Sequence, residues 1–176
     1  MQIDLSELFA AEGETRSYSV PFTTESVSWN GVSYPVKEAG TAVFTITHLG
    51  SRVFDVQADE KLTVTFPCDR CLTPVDVDFH LTPVRRIDAN VSREERIRNL
   101  DEQPYVQGYF LDTDRLILDE LYGCMPAKVL CREDCRGLCP VCGQNLNIRD
   151  CGHSKTAPDP RMAAIRDLFA EWKDGN

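Results

Sequence analysis

The stretch Cys131-Arg132-Glu133-Asp134-Cys135-Arg136-Gly137-Leu138-Cys139-Pro140-Val141-Cys142-Gly143-Gln144-Asn145-Leu146 holds four of the eight cysteines of this 176-residue chain. Its most specific part is Cys139-Pro140-Val141-Cys142-Gly143. Two residues between cysteines let both sulfurs face one ion across a tight turn. Proline pre-sets the backbone of that turn, and the glycine that follows tolerates the positive φ required as the chain curls on. Backbone N–H groups of such a turn can donate to the thiolates. The motif supplies half of a tetrahedral site.

Three further pairs lie outside or before the knuckle. Cys68-Asp69-Arg70-Cys71 has the same spacing and follows the apolar run Leu62–Phe66. Cys131 and Cys135 are separated by three residues, which sets both sulfurs on one side of a helical turn. In Cys151-Gly152-His153 an imidazole replaces a thiolate. Cys124 stands alone beside apolar neighbours and is expected to be a small buried side chain. The remaining seven cysteines and His153 make eight ligands, the number two tetrahedral sites require. The favoured partition puts Cys139, Cys142, Cys151 and His153 in one site, with a compact loop between the pairs. Cys68, Cys71, Cys131 and Cys135 then form a second site, tying a sheet to a C-terminal module. A rival partition joins Cys131, Cys135, Cys139 and Cys142 and leaves Cys68/Cys71 as a partial site. Four protein ligands describe structural zinc, because a catalytic ion keeps a position open for water.

The cysteines are read as metal ligands because the chain is expected in a reducing cytoplasm, where disulfide frameworks are disfavoured. Met1–Glu7 lacks a basic segment followed by a long apolar one, so no secretory signal is expected. No stretch reaches the ~18–20 consecutive apolar residues of a membrane helix.

Residues 1–83 read as strands, with period-two alternation in Val43–Thr47, Leu62–Phe66 and Val75–Leu81. Asn30-Gly31 predicts a hairpin joining Val27–Trp29 to Val32–Val36. Ser92-Arg93-Glu94-Glu95 fits a capping box opening a short helix to about Leu100. Asp101–Gly108 reads as an exposed loop or insertion with no assigned function. A second helix is expected from about Asp114, its face formed by Leu118, Leu121, Tyr122 and Met125, and ended by Pro126. Asp159 and Pro160 mark the start of a third, with Met162, Ile165, Leu168, Phe169 and Trp172 as an apolar stripe expected to dock on the protein's own core. A partner-binding helix is the alternative reading of that stripe. The fold class is therefore α+β: an antiparallel sheet or open barrel over 1–86, a loop and helical connector over 87–130, and a zinc-binding module with a C-terminal helix over 131–176.

The formal net charge of −9 argues against binding nucleic acid through a broad basic surface. Residues 1–83 hold five Lys/Arg against twelve Asp/Glu, and only Val84–Arg98 leans basic, with five Arg against three acids. Two Zn²⁺ held by seven thiolates would take the chain from −9 to about −12. Any RNA contact must be local. Its candidates are Arg132, Arg136, Arg149, Lys155, Arg85 and Arg86, each of which is equally readable as a solvated surface charge.

Cys68-Asp69-Arg70-Cys71-Leu72, the run from Cys131 to Leu146, and Asp159-Pro160-Arg161 resemble the signatures of the YceD family. That family is bacterial with plant organellar relatives, is associated with accumulation of large-subunit (23S) ribosomal RNA, and its gene commonly neighbours one for a large-subunit ribosomal protein. The resemblance runs in order over nearly the whole chain and is weakest over about Ile87–Gly108. Members without the C-terminal knuckle keep the Cys-x2-Cys pair and carry histidines where Cys131 and Cys135 sit, which supports the favoured partition by analogy. Many relatives end the second site with Cys-x-Cys where this chain has Cys151-Gly152-His153, a change histidine tolerates as a zinc ligand.

The resemblance implies a non-enzymatic factor for rRNA accumulation or ribosome assembly, with large-subunit rRNA or ribosomal proteins as partners and no small-molecule substrate. A zinc-stabilised protein-binding adaptor is the alternative. A thiol oxidoreductase at Cys68/Cys71 lacks a surrounding βαβ pattern, and no His-Glu-x-x-His motif supports a zinc hydrolase. His48 and His80 are lone residues in strand contexts and read as structural or surface groups.

Overall fold

The computed structural model describes residues 1–153 together with Met162, Ile165, Leu168, Phe169 and Trp172. The chain divides into two compact units. One comprises Met1–Cys68 with Thr73–Cys131, and the other Asp69–Leu72 with Arg132–Asn176. The expected connector at 87–130 thus clusters with the β-rich residues in a single unit.

The first unit is organised by one long strand. In β6 (Val53–Pro67), Phe54, Val56, Ala58, Glu60, Leu62, Val64 and Phe66 are buried at every second position, as a strand with one core face demands. Its first half pairs antiparallel with β5 (Thr41–Gly50) on one side and β8 (Val84–Asp88) on the other. Its second half pairs with β4 (Val32–Ala39) and β7 (Pro74–Leu81). Both flanks therefore change strand near the middle of β6. There the backbone finds other partners: the Ala58 N–H donates to the Pro83 carbonyl at 3.0 Å, and the Gly40 N–H to the Lys61 carbonyl at 3.2 Å. Glu60, 1% exposed, is the polar exception in the alternation because its Oε1 also accepts from Gly40 N, at 2.9 Å.

The sheet continues outward through β2 (Thr15–Pro21) on β5 and β3 (Ser26–Trp29) on β4, giving the open order β2-β5-β6-β4-β3 with β7 and β8 also on β6. The Asn30-Gly31 hairpin forms with both residues at positive φ, 51° and 78°, the pair of values a primed two-residue turn needs. A smaller sheet has the order β1-β10-β9, built from β1 (Gln2–Asp4), β9 (Val106–Gln107) and β10 (Phe110–Asp112). The fold is α+β with open antiparallel sheets.

Three expectations are corrected here. Asp101–Gly108 is not wholly an exposed loop: Tyr105 and Val106 are 2% and 4% exposed, and Tyr105 O accepts from Asp112 N at 2.8 Å. A short two-strand pairing was invisible because it offers too few residues to show alternation. The second helix, α2 (Thr113–Gly123), buries Leu116, Ile117 and Leu121, while Leu118, Tyr122 and Met125 only pack partly against the core. Its core face is rotated from the expected stripe, and Tyr122 stacks instead on Trp29 at 5.6 Å. Cys124 caps the end of α2 and is exposed, not buried, because the helix stops one residue earlier. The first helix, α1 (Arg93–Arg98), starts as expected, with the Ser92 hydroxyl accepting from Glu95 N.

The expected start of the C-terminal helix at Asp159-Pro160 lies outside the described residues. Of its stripe, Ile165, Leu168, Phe169 and Trp172 have helical backbone. With Met162 they are 50–76% exposed, contrary to the expectation that they are buried on the protein's own core. No helix among the described residues is long and apolar enough to cross a membrane.

Candidate metal centre

The eight side chains named from the sequence stand in two groups of four, Cys68, Cys71, Cys131 and Cys135, and Cys139, Cys142, Cys151 and His153. Within each group the donor atoms all lie within 4.8 Å of one another. A tetrahedral zinc with ordinary bond lengths separates two sulfurs by about 3.8 Å, and a sulfur from a nitrogen by about 3.6 Å. His153 Nδ1 lies 3.4 Å from Cys151 Sγ and 3.8 Å from Cys139 Sγ, on either side of that value. Donor number, donor softness and spacing thus fit a zinc-type ion in both groups, with Nδ1 as the histidine donor.

Local backbone structure builds the knuckle. Leu138 bridges Asn145 in antiparallel fashion, Cys139 N donates to Gln144 O at 2.8 Å, and Leu146 N to Gly137 O at 2.9 Å. The chain reverses between these arms through Gly143, at φ 72°. Within the turn, the backbone N–H groups of Cys142 and then Val141 point at the Cys139 sulfur and lower its pKa from 9.0 to about 6. Cys139 is therefore largely thiolate at neutral pH, the form that ligates metal. Cys151 receives a favourable bond from the backbone N–H of His153, but sharing with Cys139, burial and Cys142 outweigh it and its pKa is raised. The opposite directions of the two shifts are what crowding negative sulfurs together produces.

Four residues outside the ligand set support this unit. Arg70, between Cys68 and Cys71, donates through Nη1 to the carbonyls of Cys135 at 2.9 Å and Glu133 at 3.3 Å, and its own carbonyl accepts from Leu138 N at 3.0 Å. Gly137, at φ 76°, lets that approach happen, since a Cβ there would stand 3.0 Å from Arg70 O. Asn147 donates through Nδ2 to Cys135 Sγ at 3.2 Å, while its Oδ1 accepts from Arg136 N at 2.8 Å and Arg132 Nη2 at 2.9 Å. Asn145 Oδ1 in turn accepts from Asn147 N and Nδ2. Sequence reasoning assigned none of these roles; the only signal, for Asn145 and Asn147, was the amide-rich stretch Gln144-Asn145-Leu146-Asn147 directly after the knuckle.

The arginines proposed for RNA contact are mostly engaged. Arg132 pairs with Asp134 at 3.3 Å, Arg136 with Asp150 at 2.9 Å, Arg85 with Glu120 at 2.6 Å and Arg86 with Asp55 at 2.9 Å. Arg149 is exposed, and Lys155 lies outside the described residues. His48 is a core residue stacked on Phe54 at 5.0 Å, and His80 is a surface group 3.2 Å from Asp59.

Comparison with known proteins places the site in context. Residues 56–169 match the family described as large ribosomal RNA subunit accumulation protein YceD. An uncharacterised protein of Mycobacterium leprae is 30% identical over 154 residues, covering 84% of this chain and 69% of the relative. Uncharacterised proteins of Mycobacterium bovis and Mycobacterium tuberculosis are 32% identical over 114 residues, covering 61% of this chain and 51% of theirs. The chain thus spans about half the length of the latter relatives. No solved structure matches it.

Proposed function

We propose, on the premise that this chain belongs to the YceD family of large ribosomal RNA subunit accumulation proteins, that it is a non-enzymatic factor supporting accumulation of large-subunit (23S) rRNA or assembly of that subunit in the cytoplasm. Two zinc ions hold it in shape, one on Cys68, Cys71, Cys131 and Cys135, the other on Cys139, Cys142, Cys151 and His153. The observation that carries the structural role is that each group offers four protein donors within 4.8 Å. An ion held that way has no open position for water and performs no Lewis-acid chemistry on a substrate. Zinc then acts through folding: the thiolates repel one another without it, and binding free energy becomes folding free energy. Arg70 and Asn147 fit this role, because they fix backbone and sulfur positions around ligands.

A thiol oxidoreductase at Cys68/Cys71 is disfavoured by their burial, 0% and 5% exposed, since a reactive thiolate needs access. The adaptor reading is favoured by one specific observation: four of the arginines nominated for RNA contact are neutralised by acids. In that reading the chain reaches rRNA through a ribosomal protein.

The test measures large-subunit rRNA in cells lacking the gene and carrying either the parent chain or its Cys139→Ser, Cys142→Ser variant. Zinc content of the purified proteins is determined in parallel. The proposal expects two Zn²⁺ per parent chain, one in the variant, and rescue of rRNA level by the parent alone. Normal rRNA levels in the cells lacking the gene would sink it.

A further inference from the structure

The basic tilt of Val84–Arg98 acquires a location in the fold. A cavity of about 730 Å³ in the β-rich unit is lined by α1, the residues around β9 and the start of α2. Its charged lining is three arginines, Arg93, Arg96 and Arg115, against one acid, Glu102. In a chain of net charge −9 this is a local reversal of sign.

The three guanidinium groups are in different states. Arg96 is 6% exposed and anchored, its Nη2 donating to the Asp88 carbonyl. A carbonyl anchors the side chain without cancelling its charge. Arg93 is only loosely held, 3.6 Å from Glu102, with both side chains more than half exposed. Arg115, exposed on the first turn of α2, makes no ion pair or side-chain hydrogen bond among the described residues; its own backbone N–H serves the Asp112 cap. By contrast Arg85, Arg86, Arg132 and Arg136 each sit within 3.3 Å of a carboxylate.

An aromatic ring completes the wall. Tyr109 lines the cavity and is 38% exposed. Phe9 meets it edge-on at 5.0 Å, and Arg52 Nη1 donates to its hydroxyl at 3.4 Å. A ring so fixed, beside guanidinium groups that match phosphate oxygens, suits both the base and the phosphate of a single-stranded nucleotide. A carboxylate-rich peptide would use the charges and leave the ring idle.

The geometry points to this cavity as a binding site for a single-stranded RNA segment, with a phosphate on Arg93 and Arg115 and a base against Tyr109. The inference rests on the proposed role in rRNA accumulation and names the contact through which it would be exercised. One or two phosphates are engaged, which an acidic chain can manage where a broad phosphate track is closed to it.

The test is fluorescence anisotropy of a labelled single-stranded oligoribonucleotide of about ten residues with the full zinc-loaded chain, over a range of salt. Arg115→Glu is expected to weaken binding at least tenfold and to flatten the salt slope by about 0.7 for each phosphate it no longer engages. Arg115→Lys should restore most of the binding. Tyr109→Leu is expected to weaken binding about fivefold or more with the salt slope unchanged, because stacking releases no counterions. Circular dichroism and zinc content control for folding. Equal binding by parent and Arg115→Glu, or no binding by the parent, overturns the cavity. So does full competition by AMP, inorganic phosphate or polyglutamate at the concentration where unlabelled RNA competes. These failures are distinguishable from failure of the proposed function, which is read separately as rRNA level in cells; rescue there with no RNA bound would leave the function standing and remove the cavity from it.

Discussion

Replacing Gly137 by alanine tests the contact that sets Arg70 against the knuckle strand. Gly137 sits at φ 76°, and an added Cβ would lie 3.0 Å from the Arg70 carbonyl oxygen, which itself accepts from Leu138 N at 3.0 Å. The left-handed backbone costs alanine about 1–2 kcal/mol. Relieving the close approach moves the carbonyl from its hydrogen bond, worth a further ~0.5–1.5 kcal/mol. The total is roughly 1.5–3.5 kcal/mol by these terms. Gly143 and Gly152 are matched controls, both at φ 72° with nothing within 4 Å of where a methyl group would stand. Gly143→Ala and Gly152→Ala should therefore show the backbone cost alone. The assay is chemical denaturation of the zinc-loaded chain, with the rate of zinc transfer to a chelator as a second readout. Gly137→Ala should be the least stable of the three by about 1 kcal/mol and the fastest to lose metal. If all three alanine variants unfold and release zinc alike, the Arg70 contact contributes nothing and the reasoning fails.

Asn147→Ala removes the donor to Cys135 Sγ and the acceptor for Arg136 N and Arg132, so metal affinity should fall about 10- to 100-fold in a competitive chelator titration. Asn147→Asp should be worse still, since it keeps the acceptor but sets a carboxylate beside a thiolate. Native mass spectrometry of Cys124→Ser should find two metals per chain, because that exposed residue belongs to neither foursome; retention of only one would break the ligand assignment. Burial pushes the Glu60 carboxyl above its ordinary 4.5, against the pull of the Gly40 N–H and with help from Asp59 and Asp114. Between the ordinary and the raised value the folded chain holds more protons than the unfolded one, so this group's contribution to stability falls as pH rises through that window. Glu60→Gln should gain on the parent in urea unfolding at neutral pH, and the gain should shrink towards pH 4.5; a difference independent of pH would show that Glu60 is not raised.

The candidate donors were legible because cysteine spacing is a short-range property. Two residues between sulfurs fix a turn whatever the rest of the chain does, and Asn30-Gly31 announces its hairpin for the same reason. Alternation made β5, β6 and β7 readable, since each has one buried face. What alternation could not disclose is that β6 changes partners on both flanks near its middle, or that this places Glu60 where a backbone N–H at Gly40 needs an acceptor. Read along the chain, a buried glutamate in an apolar strand is merely an anomaly.

Arg70 and Asn147 were missed on similar grounds. Arg70 acts on a carbonyl 65 residues away and Asn147 on a sulfur 12 residues away, and only folding brings either near. The arginines nominated for RNA show the same limit from the other side: composition counts a charge, whereas only the fold shows whether a carboxylate lies beside it. Sequence alone determined the chemistry available to this protein, its thiolates, its imidazole and its scattered arginines, because those are properties of residue type and near neighbours. The tertiary structure decided which sulfurs gather in each foursome and which arginines stand beside a carboxylate, because both depend on distances between residues apart in the chain.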